Sequence, residues 1–421
     1  MPRYEHGALF WQVSLSGATV TTTSGRRGSR AHTSTKTLAS PRAAQRHHDQ
    51  LIVGMLRSGY RPVDAPAIVS SPDALALEAC LADDPDDPEA WMVYGDLLQK
   101  VGDPRGELIA LHTAAQATGA PKTAKLAVKR QFARHVPTLL GPLARHVPQL
   151  DDLESPPFAW KHGFIHRVAL DGGCLASVAD EVLGHPSGKF VAELAFQTRH
   201  PSQAIELFDV IARHAPRALQ ELDLVVRADL DAIAELWPHV PRLRRLYLAA
   251  KSFELGDLRL PELRAARFRG LTVSPSCVDS IAAAPWPKLE RMELRLGNQL
   301  GALPATFENL EPLLRRGDMP ALTHLKIRGA AFAGAICRAL ATSPLAAQLQ
   351  VLDLAHGTIT PQDVKVLAAA TGRFANLREL WVPAAALWND GAKRLAGISN
   401  HVISDDKAPL DTLEAELGDD A

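Results

Sequence analysis

Apolar residues in the second half of the chain recur in a fixed frame. In Leu349–Leu354 (Leu-Gln-Val-Leu-Asp-Leu) the first, fourth and sixth positions are leucine. The same spacing returns at Leu219/Leu222/Leu224, Leu243/Leu246/Leu248, Leu289/Met292/Leu294, Leu322/Leu325/Ile327 and Leu377/Leu380/Val382. Weaker copies stand at Val191/Leu194/Phe196 and Leu263/Ala266/Phe268. The first positions step by 28, 24, 20, 26, 33, 27 and 28 residues. Alternation at the end of each motif sends the apolar side chains to one face of a short strand. One such strand cannot bury that face alone, so the units are expected to stack. The intervening segments predict helices at Ser202–His214, Pro275–Ala284, Pro304–Arg316, Ala331–Leu340 and Pro361–Ala370, several opened by the proline that a helix start tolerates. The step of 20 from Leu243 to Leu263 leaves no room for one.

The first half carries other periods. Phe10–Leu15 alternates as a strand, Gly17-Ala18 reads as a turn, and Thr19–Thr23 is a second β-prone run. Ser24-Gly25-Arg26-Arg27-Gly28-Ser29 is a glycine-bracketed basic loop, and Ala43–Leu56 a helix closed by Ser58-Gly59-Tyr60. A linker is expected over 63–71. Helices follow at Leu75–Leu81, Glu89–Gln99 and Glu107–Ala115, and a basic one over 122–140. The expected fold class is multidomain α/β: a β-rich module over 1–64, helical connector segments over 65–150, a curved α/β solenoid over 151–400, and an acidic, disordered tail over 401–421.

The recurrent motif resembles the ribonuclease-inhibitor style of leucine-rich repeat. The asparagine common in that family three places after the last leucine is absent, so the turn hydrogen bonds must come from elsewhere. Trp11, Gly25-Arg26, Gly28, Lys36, Ala43 and Gly59-Tyr60 together resemble the WGR domain, found in DNA-damage-responsive poly-ADP-ribose polymerases and in bacterial proteins. That resemblance implies contact with DNA. Ser24 stands where the family's name has tryptophan. Asp84-Pro85-Asp86-Asp87, Tyr94-Gly95-Asp96-Leu97-Leu98 and Gly102-Asp103-Pro104-Arg105-Gly106-Glu107-Leu108-Ile109 resemble, in order, the repeat-companion domain that precedes leucine-rich repeats in myxobacterial and planctomycete proteins. Trp160–Ile165 and His185-Pro186-Ser187 look like the lead-in to those repeats.

Charge is local. Over 1–62, nine Arg and Lys residues face Glu5 and Asp49, whereas over 72–115 ten carboxylates face Lys100 and Arg105. The net charge of −1 hides both. Arg exceeds Lys 33 to 13, a coding bias that points to a GC-rich bacterial source. Four scattered cysteines suit a reducing compartment, and no apolar run reaches a membrane span, so a cytoplasmic location without membrane contact is expected.

No nucleophile elbow, metalloprotease helix or phosphate-binding loop is present, and His47-His48-Asp49 puts neighbours on different helix faces. The expectation is a protein that is not an enzyme, with no cofactor and no metal. Arg26, Arg27, Arg30 and Lys36 are the candidate nucleic-acid contacts, as phosphate partners rather than sequence readers. In the repeats, the third, fifth and seventh positions point away from the leucines. They gather Arg245, Tyr247, Arg267, Arg269, Arg291, Arg295, Lys326, Arg328 and Trp381 on the concave face. Glu293 is the one acid among these positions in the middle repeats, so an acidic protein segment or a nucleic-acid backbone is the expected occupant. Two readings follow: a scaffold touching DNA non-specifically while its repeats hold a protein partner, and an adaptor for proteins alone.

Overall fold

The computed structural model of the protein describes residues 3–63, 71–148, 153, 156–172, 175–231, 233–296, 304–399 and 401–407. The chain divides into two compact units, Met1–Ala169 with Val178–Ala192 and Pro216–Ala218, and the remainder.

In the first unit, β1 (Arg3–His6), β2 (Leu9–Ser16), β3 (Thr19–Arg26), β4 (His32–Thr37) and β5 (Arg61–Pro62) form an antiparallel sheet ordered β4-β3-β2-β1-β5. Helix α1 (Pro41–Arg57) packs on β2 and β3. Trp11, Val13 and Val20 are buried on this sheet, as are Ala44, Ile52 and Leu56 on α1. Ser40 caps α1 by accepting from the Ala43 amide, and Gly59 (φ +86°) makes the left-handed exit.

The helical segment has α2 (Pro72–Asp83), α3 (Pro88–Lys100), α4 (Pro104–Gln116), α5 (Lys122–Arg134) and α6 (Val136–Leu139). The aspartates act as caps: Asp87 accepts from the amides of Glu89 and Ala90, and Asp103 from that of Arg105. The helix expected over 122–140 breaks at His135, just ahead of Pro137. A hairpin of β6 (Phe158–Lys161) and β7 (Phe164–Asp171) turns on His162 and Gly163, both at positive φ. Trp91 rests among Phe164, Phe190 and the His162 ring. Asp103 pairs at 2.9 Å with buried Arg105, which donates to Ser187 Oγ at 2.7 Å; that hydroxyl donates to the Leu139 carbonyl at 2.6 Å. The motifs read as a companion module are thus tied to the His185–Ser187 segment by one buried network.

After α7 (Leu175–Leu183), the described residues of the second unit form nine parallel strands in chain order: β8 (Glu193–Thr198), β9 (Glu221–Val226), β10 (Arg245–Ala250), β11 (Ala265–Gly270), β12 (Arg291–Arg295), β13 (His324–Arg328), β14 (Val351–Asp353), β15 (Glu379–Val382) and β16 (His401–Ser404). The motif residues pair across the strands, Leu194 with Leu222, Leu246, Ala266, Met292, Leu325, Leu352 and Leu380 in turn. None is more than 3% exposed. Each such leucine contributes about 1.5–3 kcal/mol by burial. Helices α8 (Pro201–His214), α9 (Pro275–Ala283), α10 (Phe307–Leu314), α11 (Ala333–Leu340), α12 (Pro361–Ala369) and α13 (Gly391–Leu395) occupy the connections, and α9 to α13 pack on one another in chain order. The short connection from β10 to β11 has no helix, as its length requires.

At the strand entries, backbone hydrogen bonds link one unit to the next. The Gln220 carbonyl accepts from the amides of Arg244 and Arg245, and Arg244, Arg264, Glu290, Thr323 and Gln350 each do the same for the next strand. One end of the expected tail is a strand: His401–Ser404 pairs with β15, while residues 408–421 lie outside the described residues, as does 64–70 of the expected linker.

Candidate interaction surfaces

Two surfaces carry the predicted side chains. In the first unit, Arg26 ends β3 and the chain turns through Arg27, Gly28 (φ +80°) and Ser29. Ser29 Oγ donates to the Arg26 carbonyl at 2.8 Å, and the Ser29 amide donates to the same oxygen at 3.0 Å, so the turn is closed on itself. Arg26, Arg27 and Arg30 are exposed there, with the Arg27 guanidinium paired to Glu5. Lys36 does not join them. It pairs in register with Val20, six residues along β3 from Arg26, about 20 Å away at strand rise. The sequence put these four in one cluster; antiparallel pairing sends the β4 lysine towards the other end of the sheet. Ser24 lies directly across from Trp11, which is buried and 5.5 Å from the Tyr4 ring. The strand face thus keeps one aromatic cluster, but inside.

In the second unit, the third, fifth and seventh motif positions occupy the sheet face opposite the leucine column. Pairing puts Tyr247, Arg267, Glu293, Lys326, Asp353 and Trp381 in one row, and Arg269, Arg295 and Arg328 in another. Arg245 and Arg291 are exposed, and Tyr247, Arg267, Arg295, Lys326 and Trp381 are half-buried. Arg245 is paired with Glu221.

Two of the predicted contact residues are corrected. Arg269 is buried, with its side chain 1% exposed; it sits 3.1 Å from Glu293, which also pairs with Arg267 at 3.0 Å. Arg328 is nearly buried, and its Nη2 lies 2.7 Å from Asp353 Oδ2, itself fully buried. Both arginines neutralise carboxylates within the sheet. The guanidiniums of Arg267 and Arg269 lie 4.8 and 5.7 Å from the Tyr247 ring centre, so the tyrosine is engaged with cations of the face itself. Reading one position at a time missed these partners. The signal was available in the alternation of Arg and acid between neighbouring repeats, at Arg267 with Glu293 and at Arg328 with Asp353.

Across β10–β13 its motif positions hold seven cations and one carboxylate, Glu293; of those cations Arg269 and Arg328 are held in buried pairs and Arg245 pairs with Glu221, and the flanking strands add Asp223 and Asp353, so a smaller cationic excess remains. His324 reports the local field: burial first, then the charges of Arg291 and Lys326, hold its imidazole below the usual range. Beside the cations is an apolar patch where Val225, Tyr247 and Leu271 pack around Ala249.

Burial pushes the thiol of Cys337 up to about 12 and that of Cys277 upward as well, so neither supplies a thiolate near neutrality. Among the described residues no group of three or more His, Cys, Asp or Glu is arranged to hold a metal ion, and no helix is long and apolar enough to cross a membrane.

Residues 5–66 match the family model of the WGR domain, a nucleic-acid-binding type of module. No curated protein matches the chain. Among solved structures, the crystal structure of a Bacteroides fragilis protein determined by the Northeast Structural Genomics Consortium aligns over 96% of each chain, at 14% identity and a TM-score of 0.47.

Proposed function

We propose that this chain is a scaffold without catalytic function, in which the WGR domain at residues 5–66 holds a nucleic-acid backbone and the repeats hold a protein. In this reading the repeated strands and helices are leucine-rich repeats stacked as a curved solenoid, introduced by a repeat-companion module, in a cytoplasmic bacterial protein. The WGR match carries the nucleic-acid half, supported by exposed Arg26 and Arg30 on a turn closed by Ser29. Guanidiniums on a rigid turn pair with phosphates without reading bases. The protein half is supported by the electropositive face of β10–β13 beside the apolar patch at Ala249. Such a face fits an acidic segment with apolar anchors.

The test is titration of the full chain with labelled duplex DNA at about 50 and about 200 mM salt. Binding around 10⁻⁴ to 10⁻⁶ M that weakens with salt is expected. Replacing Arg26 and Arg30 together by Ala should abolish it. Binding that ignores salt, or that survives the double variant, overturns the nucleic-acid half. The second reading, an adaptor for proteins only, draws on Ser24: the position that gives the family its tryptophan offers no ring to stack on a base or sugar.

A further inference from the structure

We propose that residues 408–421 of this chain are themselves an occupant of the electropositive sheet face, so that the face is covered from within until a competing acidic partner displaces them. The proposal rests on the reading of that face as an acid-binding surface.

Charge is the first argument. Residues 408–421 contain Asp411, Glu414, Glu416, Asp419 and Asp420 and no Lys or Arg. The outward positions of β10–β13 have the opposite excess, seven cations against Glu293. Pairing of Arg245 with Glu221, of Arg267 and Arg269 with Glu293, and of Arg328 with Asp353 reduces that excess to seven cations against three carboxylates, without reversing it.

The second argument is where the chain leaves the sheet. After β16, Asp405 Oδ1 accepts from the Ala384 amide at 2.8 Å and Oδ2 from the His356 amide at 3.2 Å. Those amides lie just past the ends of β15 and β14. The exit is thereby pinned at the strand end where the seventh motif positions stand, the end that carries Arg295. From β16 to β12 is four strand spacings, about 19 Å. Fourteen residues reach about 21 Å as a helix and more than twice that when extended.

The third argument is apolar. Leu410, Leu413 and Leu417 are three and four residues apart, interleaved with the acids. The path inward from β16 crosses Trp381, half-buried and in register with Ile403. A segment of alternating carboxylates and leucines matches a face of cations and exposed aromatic surface in both of its components.

The experiment uses the full chain, a chain lacking residues 408–421, and two labelled peptides, one with the sequence of 408–421 and one an oligoglutamate. A tethered segment competes at an effective concentration near the millimolar range, so the 408–421 peptide should bind the shortened chain at least about tenfold more tightly than the full chain. Raising salt should weaken that binding. Arg291→Glu with Lys326→Glu in the shortened chain should abolish it while its unfolding transition stays in place. Leu413→Ala with Leu417→Ala in the peptide should weaken it. Equal binding to the two chains, or binding unaffected by Arg291→Glu with Lys326→Glu, overturns the proposal. The oligoglutamate separates the two failures. If it binds both chains alike at Arg291 and Lys326, the face takes acidic partners but 408–421 does not cover it. If it binds neither, the acid-binding reading falls, and this proposal falls with it.

Discussion

Arg328 and Asp353 meet across adjacent parallel strands, guanidinium Nη2 to carboxylate Oδ2 at 2.7 Å, with Asp353 fully buried. The other Asp353 oxygen accepts from the Ala355 amide at 3.0 Å. A carboxylate so enclosed has its charge balanced by Arg328, which makes that arginine part of the sheet. Truncation of one partner in a buried pair costs about 3–5 kcal/mol, because the other charge stays behind. Arg328→Met should therefore lower the unfolding free energy, read from denaturant melts, by that order. Arg291→Ala, from the same face but exposed, should stay within about 0.5 kcal/mol. Equal effects would show that Arg328 belongs to the recognition surface.

The WGR domain offers a second separation. Arg26 and Arg30 share one turn, whereas Lys36 pairs with Val20 far along the sheet. If one DNA backbone runs past the turn, Lys36 adds little. Arg26→Ala should reduce the slope of log affinity against log salt by about 1, the share of one released counterion. Lys36→Ala should leave the slope unchanged. A loss of slope at Lys36 equal to that at Arg26 would require a footprint along the whole of β3 and β4.

Two helical glycines should respond oppositely to the same change. A Cβ on Gly106, in α4, would stand 2.5 Å from the Gly95 carbonyl oxygen and 2.7 Å from the Gln99 amide nitrogen on α3. Helix backbones cannot yield locally, so Gly106→Ala should force α3 and α4 apart and cost more than about 2 kcal/mol. Gly54, inside α1, has nothing within 4 Å of its would-be Cβ. Gly54→Ala should stabilise by about 0.5–1 kcal/mol. Denaturant melts of the two variants decide it, and a neutral Gly106→Ala would mean the α3–α4 approach is looser than described.

These glycines also show how legible the fold was. Gly95 and Gly106 stood out only as members of a family-like string, yet that string marks where two helices touch. The strand frame at Leu222, Leu246, Leu325 and Leu352 was legible because burial on one face imposes a period on sequence. The interaction face was less legible. Outward positions carry no such period, and whether Arg269 is a free contact or a buried counterion depends on Glu293, 24 residues away and one strand over. Pairing register decides that, and single positions do not reveal register. β1, β4 and β5 were not read from periodicity, since Arg3–His6 and Arg61–Pro62 are too short for any pattern and His32–Thr37 is wholly exposed.

The helical segment predicts a loss of stability in acid. His162 stacks on Trp91 with ring centres 4.5 Å apart, and its amide donates to His112 Nδ1 at 3.1 Å. Its own Nδ1 is buried with no hydrogen-bond partner among the described residues. Burial first, then the neighbouring charges of His112 and Lys161, push the His162 imidazole down to about 3; burial lowers His112 as well. His185, whose Nδ1 accepts from the Ser187 amide, is pushed down to about 4 by burial and then by Arg105. Each group binds a proton more readily in the unfolded chain than in the folded one. Stability is therefore complete above the unfolded value of 6.5 and is lost progressively as pH falls towards the folded values. Between pH 7.5 and about pH 5, His162 alone should account for about 2 kcal/mol, since each unit below 6.5 is worth about 1.4 kcal/mol. The backbone at His162 is left-handed, φ +55°, a conformation asparagine tolerates. His162→Asn should thus fold and should flatten the pH dependence by that amount in denaturant melts at the two pH values. A drop between them as steep in His162→Asn as in the parent chain would assign the acid sensitivity to other groups.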